Sequence, residues 1–180
     1  MRVDAKRGDP GMPRQRWHLA RNENELVYAE FQHALICLAE AFYRYIGNSL
    51  ALVAGEPSLN GYDSVILHTI ETQNRPKSIT DIQHFTNRTD IANIQYSVRK
   101  LIRAGLIRKA PRNGKRGTSY TTTAHGRRVI ARHLAQRRAL LAQALQDPGA
   151  LLKDVRKATR VMSALTGLYD YGSRRTTTQS

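Results

Sequence analysis

The 180 residues, 41% hydrophobic and 24% charged with 12 Gly and 6 Pro, suffice for one domain with extensions and exclude a disordered, collagen-like or low-complexity chain. Lys and Arg number 29 against 14 Asp and Glu, a formal charge of +15, and so large an excess points to a polyanionic partner. The single cysteine, Cys37, excludes an intramolecular disulfide and a cysteine-based structural zinc site, and the lack of a long apolar run or an apolar N-terminal stretch leads us to expect a cytoplasmic protein.

Residues 1–21 mix Gly8, Pro10, Gly11 and Pro13 with scattered charges and read as a basic, flexible arm. Over residues 22–53, Val27, Phe31, Leu35, Leu38, Phe42 and Ile46 recur at steps of three or four, which predicts a long amphipathic helix. Gly55, Pro57 and Asn60 end it. Asn60 or Asp63 then caps a second helix carrying Val65, Ile66 and Ile70.

Asn74, Arg75 and Pro76 stop that helix, and Ser78 with Asp81 forms a capping-box start for a short third helix over residues 79–85. After the polar turn Thr86-Asn87-Arg88-Thr89, the periodicity resumes with Ile91, Ile94, Val98, Leu101 and Ile102, a stripe expected to face the core. Gly105 suits the left-handed position after this helix. Two helices joined by a short polar turn are the requirement of a helix-turn-helix.

Residues 106–110 and 119–123 flank a loop with Pro111, Asn113, Gly114 and Gly117, which predicts a hairpin with a basic tip. A long helix over residues 124–145, capped by Thr123, and a final amphipathic helix over residues 150–168 follow, separated by Asp147, Pro148 and Gly149. Residues 173–180 read as a polar tail.

Charge divides unevenly along this order. Residues 74–138 hold sixteen basic and two acidic side chains, whereas residues 22–73 hold one and seven. Such segregation predicts one basic face presented by an acidic scaffold.

The stretch 78–128 resembles the winged helix-turn-helix of the MarR family of bacterial transcription regulators. Ser78-Ile79-Thr80-Asp81-Ile82-Gln83-His84-Phe85 stands where the supporting helix would be and residues 89–104 where the recognition helix would be. Ala104-Gly105-Leu106-Ile107-Arg108-Lys109 is similar to the family's exit into the wing, and Thr122-Thr123-Ala124-His125-Gly126 to the start of the helix beyond it. The wing departs from the family in lacking an aspartate-x-arginine pair.

The resemblance implies a mainly α fold with a small β-hairpin wing. A winged module over about residues 60–124 would sit within a MarR-like domain of residues 22–172, with dimerisation helices at about 22–53 and 124–168. It implies a nucleoid-associated homodimer that regulates transcription, more often by repression, at an inverted-repeat site in double-stranded DNA. A sequence-nonspecific architectural nucleoid or RNA-binding protein is the alternative, distinguished by its specificity ratio.

With the apolar stripe inward, the opposite side of the recognition helix would present Asn93, Gln95, Tyr96, Arg99 and Lys100. Asn93 and Gln95 suit adenine edges and Arg99 suits guanine or phosphate. Arg88 and Thr89 at the helix start suit phosphate. Arg112, Lys115 and Arg116 at the wing tip and Arg127 and Arg128 after it complete the expected DNA face. Arg99 and Asn93 would specify, and Arg116 would mainly anchor.

No enzyme is expected, because residues 74–138 offer only Asp81 and Asp90 as carboxylates, and no cofactor is expected either. The six histidines show no close pair at metal spacing, so no metal site is expected. Cys37, among Leu35, Ile36 and Leu38, reads as an apolar filler, with a redox role as the alternative. Tyr28, Phe31, Tyr43, Tyr62 and Tyr169 read as core or as the lining of a pocket for an unidentified small-molecule effector.

Overall fold

Asn22 ends the N-terminal segment by accepting a hydrogen bond from the Glu25 backbone N–H (2.9 Å), and a 32-residue helix, α1 (Glu23–Ala54), runs from it to Gly55 at φ 69°. The computed structural model describes residues 19–110, 117–144 and 148–177. Asn60 starts α2 (Gly61–Glu71) with a complete capping box, its side chain receiving the Asp63 N–H while the Asp63 carboxylate receives the Asn60 N–H. Both alternatives for this cap are therefore used, reciprocally.

The helices α1 and α2 cross at a point that tolerates no side chain. A Cβ on Gly61 would lie 2.3 Å from the Tyr43 carbonyl oxygen, and one on Gly47 would lie 2.5 Å from the Gly61 nitrogen. Glycine at both positions lets the two backbones touch and fixes α2 against the long helix.

A short 3-10 turn, Thr72–Asn74, leads to β1 (Lys77–Ser78) and then to α3 (Ile79–Thr86), which opens on the Ser78–Asp81 capping box anticipated from the sequence. Asn87 closes α3 in the left-handed conformation at φ 52°. Next come α4 (Ile91–Arg103), capped by Asp90, the strands β2 (Ile107–Lys109) and β3 (Ser119–Thr122), α5 (Ala124–Ala144) and α6 (Pro148–Thr177).

The sheet has the order β1-β3-β2, antiparallel throughout, with Ile107 opposite Thr122, Lys109 opposite Tyr120, and Lys77 also opposite Tyr120. The hairpin was expected; its third strand was not. Two residues, Lys77 and Ser78, are too few to show an alternating pattern.

The core gathers around α2. Ile66, Leu67 and Ile70 pack with Leu50 of α1, Ile82 of α3, Ile94, Val98 and Leu101 of α4, Leu106 and Ile107 after it, and Val129 and Ile130 of α5. Hydrophobic burial around one central helix joins the helix-turn-helix, the sheet and the scaffold. Helix α6 runs nine residues beyond 168, and its last turn carries Arg174 and Arg175, whose charge suits a helix C-terminus. The expected polar tail is thus helical as far as Thr177.

The outer helices keep extensive apolar surface. Val27, Ile36, Leu38 and Leu52 of α1, Leu140 and Leu141 of α5, and Leu151, Leu152, Val155, Val161 and Leu168 of α6 are all exposed in the single chain. No helix among the described residues is long and apolar enough to cross a membrane.

Candidate nucleic-acid interface

Helix α4 carries one side inward and one outward because Ile94, Ser97, Val98 and Leu101 fall within one arc of its 3.6-residue turn. Asn93, Gln95, Tyr96, Arg99 and Arg103 are exposed on the remaining surface. Two residues of the expected apolar stripe leave the core: Ile91 is 47% exposed and Ile102 37%. Both sit to one side of the arc centred on Ile94 and Leu101, beyond the width that α2 and α3 cover.

Lys100 corrects the expected outward face more sharply. Its ammonium turns inward to the Asp63 carboxylate at 2.5 Å, with the lysine side chain 8% exposed and the aspartate fully buried. Asp63 is fixed at the start of α2 by its own cap, so it offers a buried countercharge that a lysine beside Ser97 reaches. Lys100 therefore does not stand on the outward face where the sequence placed it. Its Nζ also lies 5.7 Å from the centre of the exposed Tyr96 ring.

The entrance to α4 is built from Asn87 to Asn93. Asp90 accepts the Asn93 backbone N–H at 3.0 Å, and the Asn93 side-chain amide donates to the same carboxylate. These hydrogen bonds, the backbone one foremost, hold the Asp90 carboxyl below its usual range. Asn93, expected to read a base, thus has one amide hydrogen engaged at the cap while its side chain stays exposed. Thr89 is exposed.

Arg88 is half-buried, with its guanidinium 4.6 Å from the centre of the Tyr62 ring. Tyr62 in turn lies 4.6 Å from Tyr43, centre to centre and tilted by 33°. The sequence gives no direct sign of this contact: Tyr62 precedes the helix-turn-helix and was expected in the core or lining an effector pocket, whereas it is exposed in the first turn of α2 and lies outside the lining of the cavity beside His68 and His133.

Beyond α4, Arg108 and Lys109 on β2 are exposed, as are His125, Arg127, Arg128 and Arg132 on α5. Arg127 donates to the Thr122 carbonyl at 3.2 Å and braces the end of the wing strand. Thr123 caps α5 by accepting the Gly126 N–H at 3.0 Å and donates to the Gly105 carbonyl at 2.7 Å, which ties the exit from α4 to α5. Arg112, Lys115 and Arg116 of the wing tip, like most of the expected N-terminal arm, lie outside the described residues.

Part of the basic excess is committed elsewhere. Arg75 pairs with Asp81 at 3.1 Å, and Lys77, buried within the sheet edge, donates to the Thr72 and Arg75 carbonyls. Burial lowers the pKa of that lysine. Around α4, the outward basic side chains among the described residues include Arg88, Arg99, Arg103, Arg108, Lys109, Arg127, Arg128 and Arg132, drawn from the α3–α4 turn, α4, β2 and α5.

One further residue contradicts its expected setting, and two histidines distant in the sequence meet. Cys37 is exposed, with its sulfur 3.6 Å from His33 Nε2, so it does not fill the core of the chain. His68 of α2 and His133 of α5, 65 positions apart, meet with Nε2 and Nδ1 3.0 Å from each other. They border a cavity of about 160 Å³ whose other walls include Phe42, Ile46, Val65, Phe85 and Arg137. Burial, then the neighbouring His133 and Arg137, lowers the His68 pKa to about 4, and burial with Arg137 lowers that of His133. Phe42 and Phe85 line this cavity, whereas Tyr28 faces a separate groove along α1. No group of three His, Cys, Asp or Glu side chains suited to a metal ion occurs among the described residues.

Residues 59–126 match the family described as winged helix DNA-binding domain. The fold is similar to that of the transcriptional regulator BldR from Sulfolobus solfataricus, with 19% identity and a TM-score of 0.61 over 79% of this chain and 99% of that one. It is similar also to a MarR family regulator from Neisseria meningitidis, with 17% identity and a TM-score of 0.58 over 88% and 100%. Reduced AbfR, solved bound to DNA, is 10% identical with a TM-score of 0.61 over 82% and 99%. No curated protein matches the chain by sequence.

Proposed function

We propose that this chain, a MarR-type winged-helix protein by its fold, is a sequence-specific DNA-binding transcription regulator that acts as a homodimer on an inverted-repeat site, as a repressor. The observation that carries this reading is the outward face of α4, where Asn93, Gln95, Tyr96, Arg99 and Arg103 stand exposed between the cap at Asp90 and the strands of the wing. A rigid helix with polar, planar and cationic side chains on its free face suits the major groove, where Arg pairs with guanine and Asn or Gln with adenine. Arg88, Arg128 and Arg132 flank it and suit the phosphates on either side.

Dimer formation is supported by the apolar residues that α1, α5 and α6 expose. Exposed apolar side chains repeated along long helices suit an interface, and a two-fold pair would set two recognition helices about one DNA turn apart. The cavity beside His68 and His133 is the place where a small effector would act, between the scaffold and the DNA-binding module.

The test is selection of genomic fragments by the purified protein at near-physiological salt with excess competitor DNA. Recovery of a few sites sharing an inverted repeat is expected. Uniform recovery would overturn sequence-specific regulation in favour of an architectural role, and a monomer by light scattering at micromolar concentration would overturn the dimer.

A further inference from the structure

The side chain that precedes the recognition helix is held from beneath by a stack of rings. Tyr43 belongs to α1, Tyr62 to the first turn of α2 and Arg88 to the turn between α3 and α4, so three separate elements meet at the Tyr62 ring. The ring is anchored where α1 and α2 touch through Gly61, which fixes the Tyr62 backbone relative to that of Tyr43. On the other side, the Arg88 backbone N–H donates to the Gln83 carbonyl at 3.1 Å, and the preceding Asn87 side chain donates to the Asp170 carboxylate of α6 at 3.2 Å.

A guanidinium lying over a ring keeps N–H donors that the ring does not consume. Those donors are the ones that grip a phosphate in bidentate fashion. The ring beneath Arg88 restricts the long side chain before any ligand arrives, which lowers the ordering cost of binding. The cation–π attraction to the ring strengthens that restriction.

We propose that Tyr62 is a positioning residue for DNA binding: stacked on Tyr43, it holds the Arg88 guanidinium where it grips a phosphate beside the recognition helix. The inference rests on the DNA-binding reading above and deepens it. It makes the α1–α2 crossing, which lies outside the helix-turn-helix in the sequence, part of the phosphate-binding apparatus.

The experiment measures affinity of the full chain for a labelled random-sequence duplex at low salt, where phosphate contacts dominate. Tyr62→Leu should weaken binding about five-fold, the scale of one cation–π contact, and Tyr62→Phe should stay near the unsubstituted protein because the ring suffices. Arg88→Ala should weaken binding by itself, and adding Tyr62→Leu to Arg88→Ala should produce no further loss. Urea unfolding of each variant separates positioning from loss of fold.

Equal losses from Tyr62→Leu with and without Arg88 would overturn the coupling, and a Tyr62→Phe variant as weak as Tyr62→Leu would overturn the stacking. Failure of the DNA-binding reading would look different: the unsubstituted protein would not bind the duplex, and both proposals would fall together.

Discussion

Lys100 of α4 forms a buried ion pair with Asp63 of α2, Nζ to Oδ2 at 2.5 Å, and so joins α4 to the centre of the core. Asp63 also receives the Asn60 N–H at 2.8 Å, so one carboxylate both caps α2 and orients α4. Removing the lysine would leave a buried aspartate without its countercharge, whose desolvation is then no longer offset.

Lys100→Met should therefore destabilise the protein by about 3–5 kcal/mol, read from the urea midpoint at constant m. It should leave the salt dependence of DNA affinity unchanged, because the ammonium faces inward. A slope reduced by about one unit would place Lys100 on a phosphate after all.

Arg99→Ala and Arg116→Ala should separate reading from anchoring. The first is expected to cost about 1–3 kcal/mol at one base position and to relax preference there, as loss of a major-groove contact does. The second should weaken binding similarly across sequences and reduce the salt slope. Binding measured against a library of single-base variants checks both, and a shifted preference with Arg116→Ala would reverse the division of roles.

The histidine pair predicts a stability that depends on pH. His68 titrates at about 4 in the folded chain against an ordinary 6.5, so the unfolded chain binds more protons between those values. Stability contributed by the neutral pair is complete above about 6.5 and declines as pH falls toward 4. Urea midpoints measured across that range should fall with acidity, and His68→Leu should flatten the decline; an unchanged slope in that variant would show that other groups carry it.

Gly126→Ala tests the junction between wing and α5. A Cβ there would lie 2.1 Å from the Leu106 carbonyl oxygen and 2.7 Å from Thr122 Cγ2. Because a backbone oxygen cannot yield as a side chain does, the change should cost about 1–3 kcal/mol or more, as overpacking typically does. A thermal midpoint equal to that of the unsubstituted protein would show that the junction relaxes freely.

The helices were legible because their signals are local. Asn60, Ser78 and Thr123 act as caps as their spacing indicates, and the periods through Ile66 and Ile70 or Ile94, Val98 and Leu101 give the buried faces. Ile91 and Ile102 misled because periodicity marks a stripe without its width, which depends on how much of the helix its neighbours cover. Lys77–Ser78 escaped notice because its pairing is with residues more than forty positions away.

The order of helices, the helix-turn-helix spacing, the basic excess and its concentration after residue 74 were determined by the sequence alone, since each follows from neighbouring residues or simple counting. Which charges face outward was decided only by tertiary structure. Lys100 and Arg99 are adjacent and alike in the sequence, yet one meets Asp63 in the core and the other remains exposed. The His68–His133 pair and the Tyr43–Tyr62–Arg88 stack arise in the same way, from helices brought together by hydrophobic burial, and distances of that kind are set by packing and not by position along the chain.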